Sequence, residues 1–396
     1  MPAHPQTQAF PRRYDLDWLR VIAFGLLILY HTGMFYVTWG WHVKSVHAGP
    51  GAEWLMLLLN PWRLALLFFI SGVALRFLAD KLGPARLSRE RVVRLGLPIL
   101  FGMAVIVAPQ SWLQLVESGE FHGSFWQFWP QYLDFGSDFS IITPTWNHLW
   151  YVVYLLVYTL LLAPFVRPLA RMMAGPGERV TARLFHGSGG ILMLTLGLML
   201  PHVVILYTLD PLFPTTHALV DDWAQHAHNV LLLMTGFLLA KDRNFWNAVH
   251  RALPLVLTLA IALGAAQTWV RFHRDLMSDT AWVVYEAGRT LYAWMAILSL
   301  LGLAQRYLNR PSKALTYMTE AIFPWYILHQ TITVMAGYWL TRQGLGVWVE
   351  APLVILATFG GCALLHELVI RRVGFLRPVF GLKPMMKTRP LPAPAE

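Results

Sequence analysis

Blocks of about twenty apolar residues recur along the whole chain, and that is the length a helix needs to cross the hydrocarbon core of a bilayer. A chain built this way is expected to be all-α: a polytopic integral membrane helical bundle of about ten transmembrane helices. Composition agrees, with 56% hydrophobic and 13% charged residues, against roughly 45–50% and about 25% in soluble proteins. A soluble enzyme, a disulfide scaffold and a disordered tail are thereby excluded. The single cysteine, Cys362, allows no internal disulfide and no Cys-x-x-Cys metal or redox site.

Hydropathy places the spans near Trp18–Val37, Trp54–Leu75, Leu95–Val116, Trp146–Val166 and Gly189–Thr208. The remainder fall near Asn229–Ala240, Leu253–Phe272, Ala281–Leu303, Leu315–Leu340 and Val349–Ile370. The sixth has the shortest apolar core and is expected to begin back among Trp223–His228. Lys and Arg then set the orientation, because cytoplasmic loops carry the excess of positive charge. With the N-terminus cytoplasmic, only Lys44, Arg271, Arg274 and Arg342 fall in outer loops, and Arg20, Arg63 and Arg289 fall within spans. Every other basic residue lies on the cytoplasmic side, so both termini are cytoplasmic. The net charge of +10 is mostly this rim, and no nucleic-acid partner is expected. The first apolar stretch is too long for a signal-peptide core and reads as a retained span. The expected organisation is a cytoplasmic segment 1–16, a transmembrane domain 17–372 and a basic, Pro-rich tail 373–396. Trp112, Trp126 and Trp129 read as an interfacial belt, with stacking on sugars as the other reading.

An ionisable side chain inside a span costs at least ~2.5–3.5 kcal/mol, so each one marks a candidate site. Arg20 and His31 are eleven residues apart, about 1100° of helix rotation, and share a face to within roughly 20° at an axial separation of about 16 Å. Asp17 is one turn from Arg20 and is placed to pair with it. Taken singly, Arg20 has a snorkelling explanation and His31 an interhelical hydrogen bond. Their shared face favours function, since a desolvated neutral imidazole can act as general base on a hydroxyl. Arg63 lies too deep for easy snorkelling and needs a carboxylate, carbonyl or substrate partner. Ser71-Gly72 reads as a site of close helix packing rather than a nucleophile. Arg91-x-x-Arg94 places two guanidiniums on one helical face, suited to phosphate, although this loop would carry positive charge in any case. His148, Glu286 with Arg289, His329, and His366-Glu367 complete the set. His226-Ala-His228 face apart on a helix, so no metal site is expected.

Leu16-Asp-Trp-Leu-Arg20-Val-Ile-Ala23 followed by His31 resembles the Arg-x10-His first-helix motif of the membrane acyltransferase 3 family. Phe68-Phe-Ile-Ser-Gly72, Arg91-x-x-Arg94 with Pro98, and Tyr326-Ile-Leu-His329 resemble its other signatures, in the same order. Trp41-His-Val-Lys-Ser45, Arg63, His148-Leu-Trp150, Tyr285-Glu286 and the segment ending Gly381-Leu-Lys-Pro384 resemble most a branch that succinylates osmoregulated periplasmic glucans. The resemblance implies a multi-pass protein of the bacterial inner membrane that moves an acyl group from cytoplasmic acyl-CoA to glucan hydroxyls. Succinyl-CoA is the implied donor, acetyl-CoA the other, and no permanently bound cofactor is implied. It assigns His31, Arg20, Asp17 and Arg63 to catalysis, and Arg91, Arg94 and Arg20 to the donor nucleotide. His148, Trp150, Glu286, Arg289 and His329 are expected to meet the acceptor, with Glu286 and Arg289, one helical turn apart, readable also as an internal ion pair. The pantetheine arm would follow the Arg20–His31 stripe. Acylation of lipopolysaccharide, exopolysaccharide or peptidoglycan is the nearest alternative, and a secondary transporter or flippase the more distant one.

Overall fold

The computed structural model describes residues 12–136 and 138–384. All regular secondary structure among them is helical. Eight helices are long and apolar enough to cross a membrane: α1 (Tyr14–Met34), α2 (Pro50–Ala79), α3 (Pro84–Glu117), α4 (Asn147–Leu184), α5 (Gly187–Thr208), α7 (Arg243–Phe272), α8 (Asp279–Tyr307) and α10 (Val347–Ile370). Two more, α6 (Trp223–Leu239) and α9 (Lys313–Leu340), run among them. These two are less plainly apolar spans than the eight, for different reasons. Helix α6 has only 17 residues, about 26 Å of helix. Helix α9 is long, but His329, Gln330, Thr331 and Thr333 interrupt its apolar run, and all four are buried. A helix can carry so many polar groups here because its neighbours, not lipid, surround it. The sixth span begins at Trp223, as expected from its weak apolar core.

Several helices overrun the limits read from hydropathy. Helix α3 starts at Pro84, in the first turn after Gly83, where a missing N–H costs nothing. The basic run Arg86–Arg94 is therefore helix rather than loop. Five-residue π-helical turns break α3 at Val92–Gly96 and Gly102–Ile106, and another forms the inner end of α10 at His366–Ile370. Such turns insert an extra residue and re-aim the side chains that follow.

Packing is closest between α2 and α6. A Cβ on Gly72 would lie 1.9 Å from the Leu233 carbonyl oxygen, and one on Gly236 would lie 2.0 Å from that of Phe69. Glycine is required at both positions because the backbones touch. Phe68, Phe69, Phe237 and Phe245 fill the layer around this contact and are fully buried.

Polar contacts gather the loops by side. At the basic end Lys241 Nζ lies 2.5 Å from Asp80, and Arg371 Nε donates to Glu320 at 3.1 Å. Arg13 covers the Trp246 ring at 3.8 Å. At the other end Arg342 meets Glu117 at 2.5 Å and Ser45 donates to Glu350 at 2.6 Å. Each contact joins loops that the charge pattern assigns to one side. The tail beyond Pro384, with Lys387 and Arg389, lies outside the described residues, as do residues 1–11.

Candidate active site

The polar face of α9 and the outer half of α1 meet at two histidines. His31 Nδ1 lies 2.7 Å from His329 Nε2, with the rings stacked at 5.0 Å and 3°. His329 Nδ1 lies 2.6 Å from the Tyr326 carbonyl oxygen. A carbonyl only accepts, so His329 Nδ1 carries the proton and its Nε2 holds a lone pair. His31 Nδ1–H must then donate to that lone pair. The consequence is fixed by hydrogen bonding alone: neutral His31 keeps a lone pair on Nε2, for which the described residues offer no partner.

His329 is fully buried and held from behind. His148 packs edge-on against it at 5.1 Å, donates from Nε2 to the Ile327 carbonyl at 3.0 Å and is itself buried. Gln110 bonds to Thr331 at 2.6 Å, and Gln330 to Gln110 at 2.9 Å and to His42 at 2.9 Å. His42 Nδ1 lies 2.5 Å from Gln114, so the loop after α1 joins this polar network. Lys44 ties the same loop to the end of α1, donating to the Met34 and Trp39 carbonyls at 2.6 and 2.9 Å.

His31 opens on a cavity of about 550 Å³ walled by α1, α2, α4, α5, α6, α8 and the loops above them. Arg63, Trp150 and Arg289 line it together with Trp41 and Asn60. Arg63 is 6% exposed. Its Nη1 donates to the Asn60 side chain at 2.7 Å and backbone at 3.2 Å, and the guanidinium lies over Tyr30 at 3.3 Å. Its Nε has no partner, and no carboxylate pairs with it among the described residues. The partner required by its depth is thus a carbonyl and an amide, which leave the positive charge uncompensated. Arg289 pairs loosely with Glu286 at 3.6 Å, and only Arg289 of the two lines the cavity. Trp150 stacks on His217 at 4.2 Å. His217 holds a left-handed φ of 57°, fixed by its backbone N–H on buried Asp222 at 3.1 Å.

His148 and His329 do not reach this cavity. The structure sets them behind His31, which their spans alone did not reveal, because which face of a helix meets a neighbour is a tertiary property. Trp126 is 71% exposed, while Trp112 and Trp129 bond their indoles to the Gly123 and Ala104 carbonyls at 3.1 and 2.8 Å.

At the basic end Arg20 lies 3.6 Å from Asp17, which also accepts from Arg12 at 2.9 Å. Arg20, Arg91 and Arg94 are close enough for their charges to act on one another. The expected common face of Arg91 and Arg94 is modified. The π-helical turn at Val92–Gly96 intervenes, and Arg91 is 15% exposed where Arg94 is 54% exposed. The Arg20–His31 stripe is not an open path either. Phe24, one turn above Arg20, packs on Tyr326 at 5.1 Å and Tyr151 at 6.1 Å, and Phe68 meets Tyr151 at 4.8 Å. All four rings are buried. They fill the stripe between the arginines and the histidine pair.

Hydropathy and motif reasoning passed over His202 and Asp210, which also line the cavity. His202 interrupts an apolar span, and the rule that flagged His31 would have flagged it as well.

A family model described as an acyltransferase domain matches residues 13–367. Curated relatives named glucans biosynthesis protein C are similar along the whole length. Those of Escherichia coli O139:H28 and K12 are 23% identical, covering 97% of this chain and 98% of theirs. That of strain O17:K52:H18 is 24% identical with the same coverage. No solved structure matches the chain. With nearly its full length matched by that model and its polar groups gathered around a membrane-embedded histidine pair, this integral membrane protein belongs to the acyltransferase 3 family.

Proposed function

We propose that the protein transfers a succinyl group from cytoplasmic succinyl-CoA to a hydroxyl of an osmoregulated glucan on the periplasmic side of the bacterial inner membrane. The observation that carries the chemistry is the free lone pair on His31 Nε2, enforced by His329 and the Tyr326 carbonyl. In the reaction His31 takes the proton of the acceptor hydroxyl as its oxygen bonds to the thioester carbonyl carbon. The tetrahedral oxyanion collapses, the C–S bond breaks, and the CoA thiolate takes the proton back from His31. His329 Nε2 accepts from His31 Nδ1–H throughout and stabilises the transient imidazolium, as the buried aspartate does in a serine triad.

Arg63 supports the succinyl over the acetyl donor. A buried guanidinium without a counter-ion is costly, and the far carboxylate of a succinyl group would supply one within the cavity that His31 lines. Arg20, Arg91 and Arg94 hold the donor's phosphates at the basic end. The names of the relatives support a glucan as acceptor. The pantetheine arm reaches His31 only when Phe24, Tyr151 and Tyr326 part, so donor binding displaces these rings.

The test is CoA release and succinyl mass increments on glucan by the purified chain in detergent. His31→Ala should lower the rate by about 10²–10⁴-fold, the usual contribution of a positioned base. Full transfer by His31→Ala would reject the mechanism.

A further inference from the structure

The cavity holds a second histidine pair. His202, on α5, places Nδ1 2.9 Å from Nδ1 of His228, on α6, and the rings stack at 5.2 Å and 5°. His228 Nε2 lies 3.3 Å from Asp210 Oδ1, just past the end of α5. All three line the cavity that His31 lines. His226, two residues before His228, turns elsewhere, to Tyr158 at 2.6 Å and the Leu219 carbonyl at 3.1 Å.

The arrangement resembles that of His31 and His329, with a carboxylate in place of the carbonyl. The contact with Asp210 is one of charge rather than an aligned hydrogen bond, and a carboxylate beside Nε2 favours the His228 tautomer that carries its proton there and keeps a lone pair on Nδ1. The short contact between the two Nδ1 atoms then requires His202 to donate. His202 is left with a lone pair on Nε2, which meets no protein partner among the described residues. Building such a relay into a buried wall, where His202 is 8% exposed, sets an oriented acceptor in a low-dielectric site.

We propose that Asp210, His228 and His202 form a binding subsite for a hydroxyl of a neutral, polyhydroxylated ring: the part of the acceptor that is held while another hydroxyl meets His31. A hydroxyl fits because the open nitrogen of His202 and the carboxylate of Asp210 are both acceptors, and a hydroxyl brings the donor they call for. Gln225 and Asn229, on the same helix as His228 and also lining the cavity, supply amide donors of the kind sugars use. The class of ring rests on the proposed function, but the subsite is testable without any acyl transfer.

The experiment is calorimetric titration of the full chain in detergent with a soluble gluco-oligosaccharide and no acyl donor. His202→Ala should weaken binding about tenfold, the worth of one well-placed hydrogen bond. Asp210→Asn should weaken it as well, since the tautomer is no longer favoured. His202→Gln keeps a polar acceptor and should recover part of the affinity. That variant, with Asp210→Asn at the more exposed end of the relay, carries the test if His202→Ala does not elute as a folded protein. Wild-type affinity in both His202→Gln and Asp210→Asn, or no oligosaccharide binding by the wild type, would overturn the proposal. Binding that depends on His202 without any acyl transfer would reject the enzymatic reading and leave the subsite standing. Transfer with binding indifferent to His202 would do the reverse.

Discussion

At the scale of single residues, hydrogen-bond direction decides which imidazole nitrogen of His31 keeps its lone pair. His329 is the clearest case. It holds a lone pair towards His31 and does not face the cavity, which in the proposed mechanism makes it a positioning residue. His329→Leu should therefore lower kcat and leave both KM values near wild type. Loss of tautomer control costs up to about 10⁴-fold in serine triads, and a drop of about 10²-fold or more is expected here. Steady-state kinetics with donor and acceptor varied separately would check it, and a rise in acceptor KM at constant kcat would instead put His329 in the binding site. Arg63 makes the complementary case for charge. Arg63→Gln should cut succinyl transfer by about 10–100-fold, the worth of a buried charge-assisted hydrogen bond. Acetyl transfer should change far less, and competition between the two donors reads the difference directly. Which residues to ask about was largely legible in the sequence, because a charge in an apolar span has no ordinary reason to be there. Which of them touch was not, because His31 and His329 are 298 residues apart.

At the scale of helices, α2 and α6 show how much rests on two missing side chains. Gly72→Ala would drive its methyl into the Leu233 carbonyl and force the helices apart. Overpacking of this kind costs about 1–3 kcal/mol, measurable as a lowered midpoint of thermal unfolding in detergent. Gly25 and Gly288 have open space where a Cβ would stand, so alanine there should not lower the midpoint. The Ser71-Gly72 pair was readable in advance as a packing element, and Ser71 bonds to the Tyr151 hydroxyl at 2.7 Å. Its partner Gly236 carried no comparable signal, since a lone glycine in an apolar run says nothing about what approaches it. The π-helical turns were equally silent. They arise from how α3 must fit its neighbours, and they are why Arg91 and Arg94 differ in exposure.

At the scale of the whole molecule, the outer loops and the core are coupled through His42. Burial pulls its pKa below the usual histidine value, opposed by the hydrogen bond to Gln114, so the folded protein holds it neutral. The unfolded chain binds a proton near pH 6.5, before the folded one does. Stability contributed by neutral His42 is thus present above about pH 6.5 and lost as pH falls below it. The unfolding midpoint should decline below pH 6.5, and His42→Gln should flatten that decline. An equal decline in both proteins would assign it to other groups. The sequence by itself determined the membrane-spanning helical class, the basic rim and the presence of expensive polar groups, because these follow from transfer free energies summed along short segments. The tertiary structure decided the rest: the His31–His329 pair, the uncompensated Arg63, the filled stripe and the His202–His228 pair between α5 and α6. Each depends on contacts between helices far apart in the chain, and hydropathy, which counts residues and not neighbours, carries no term for them.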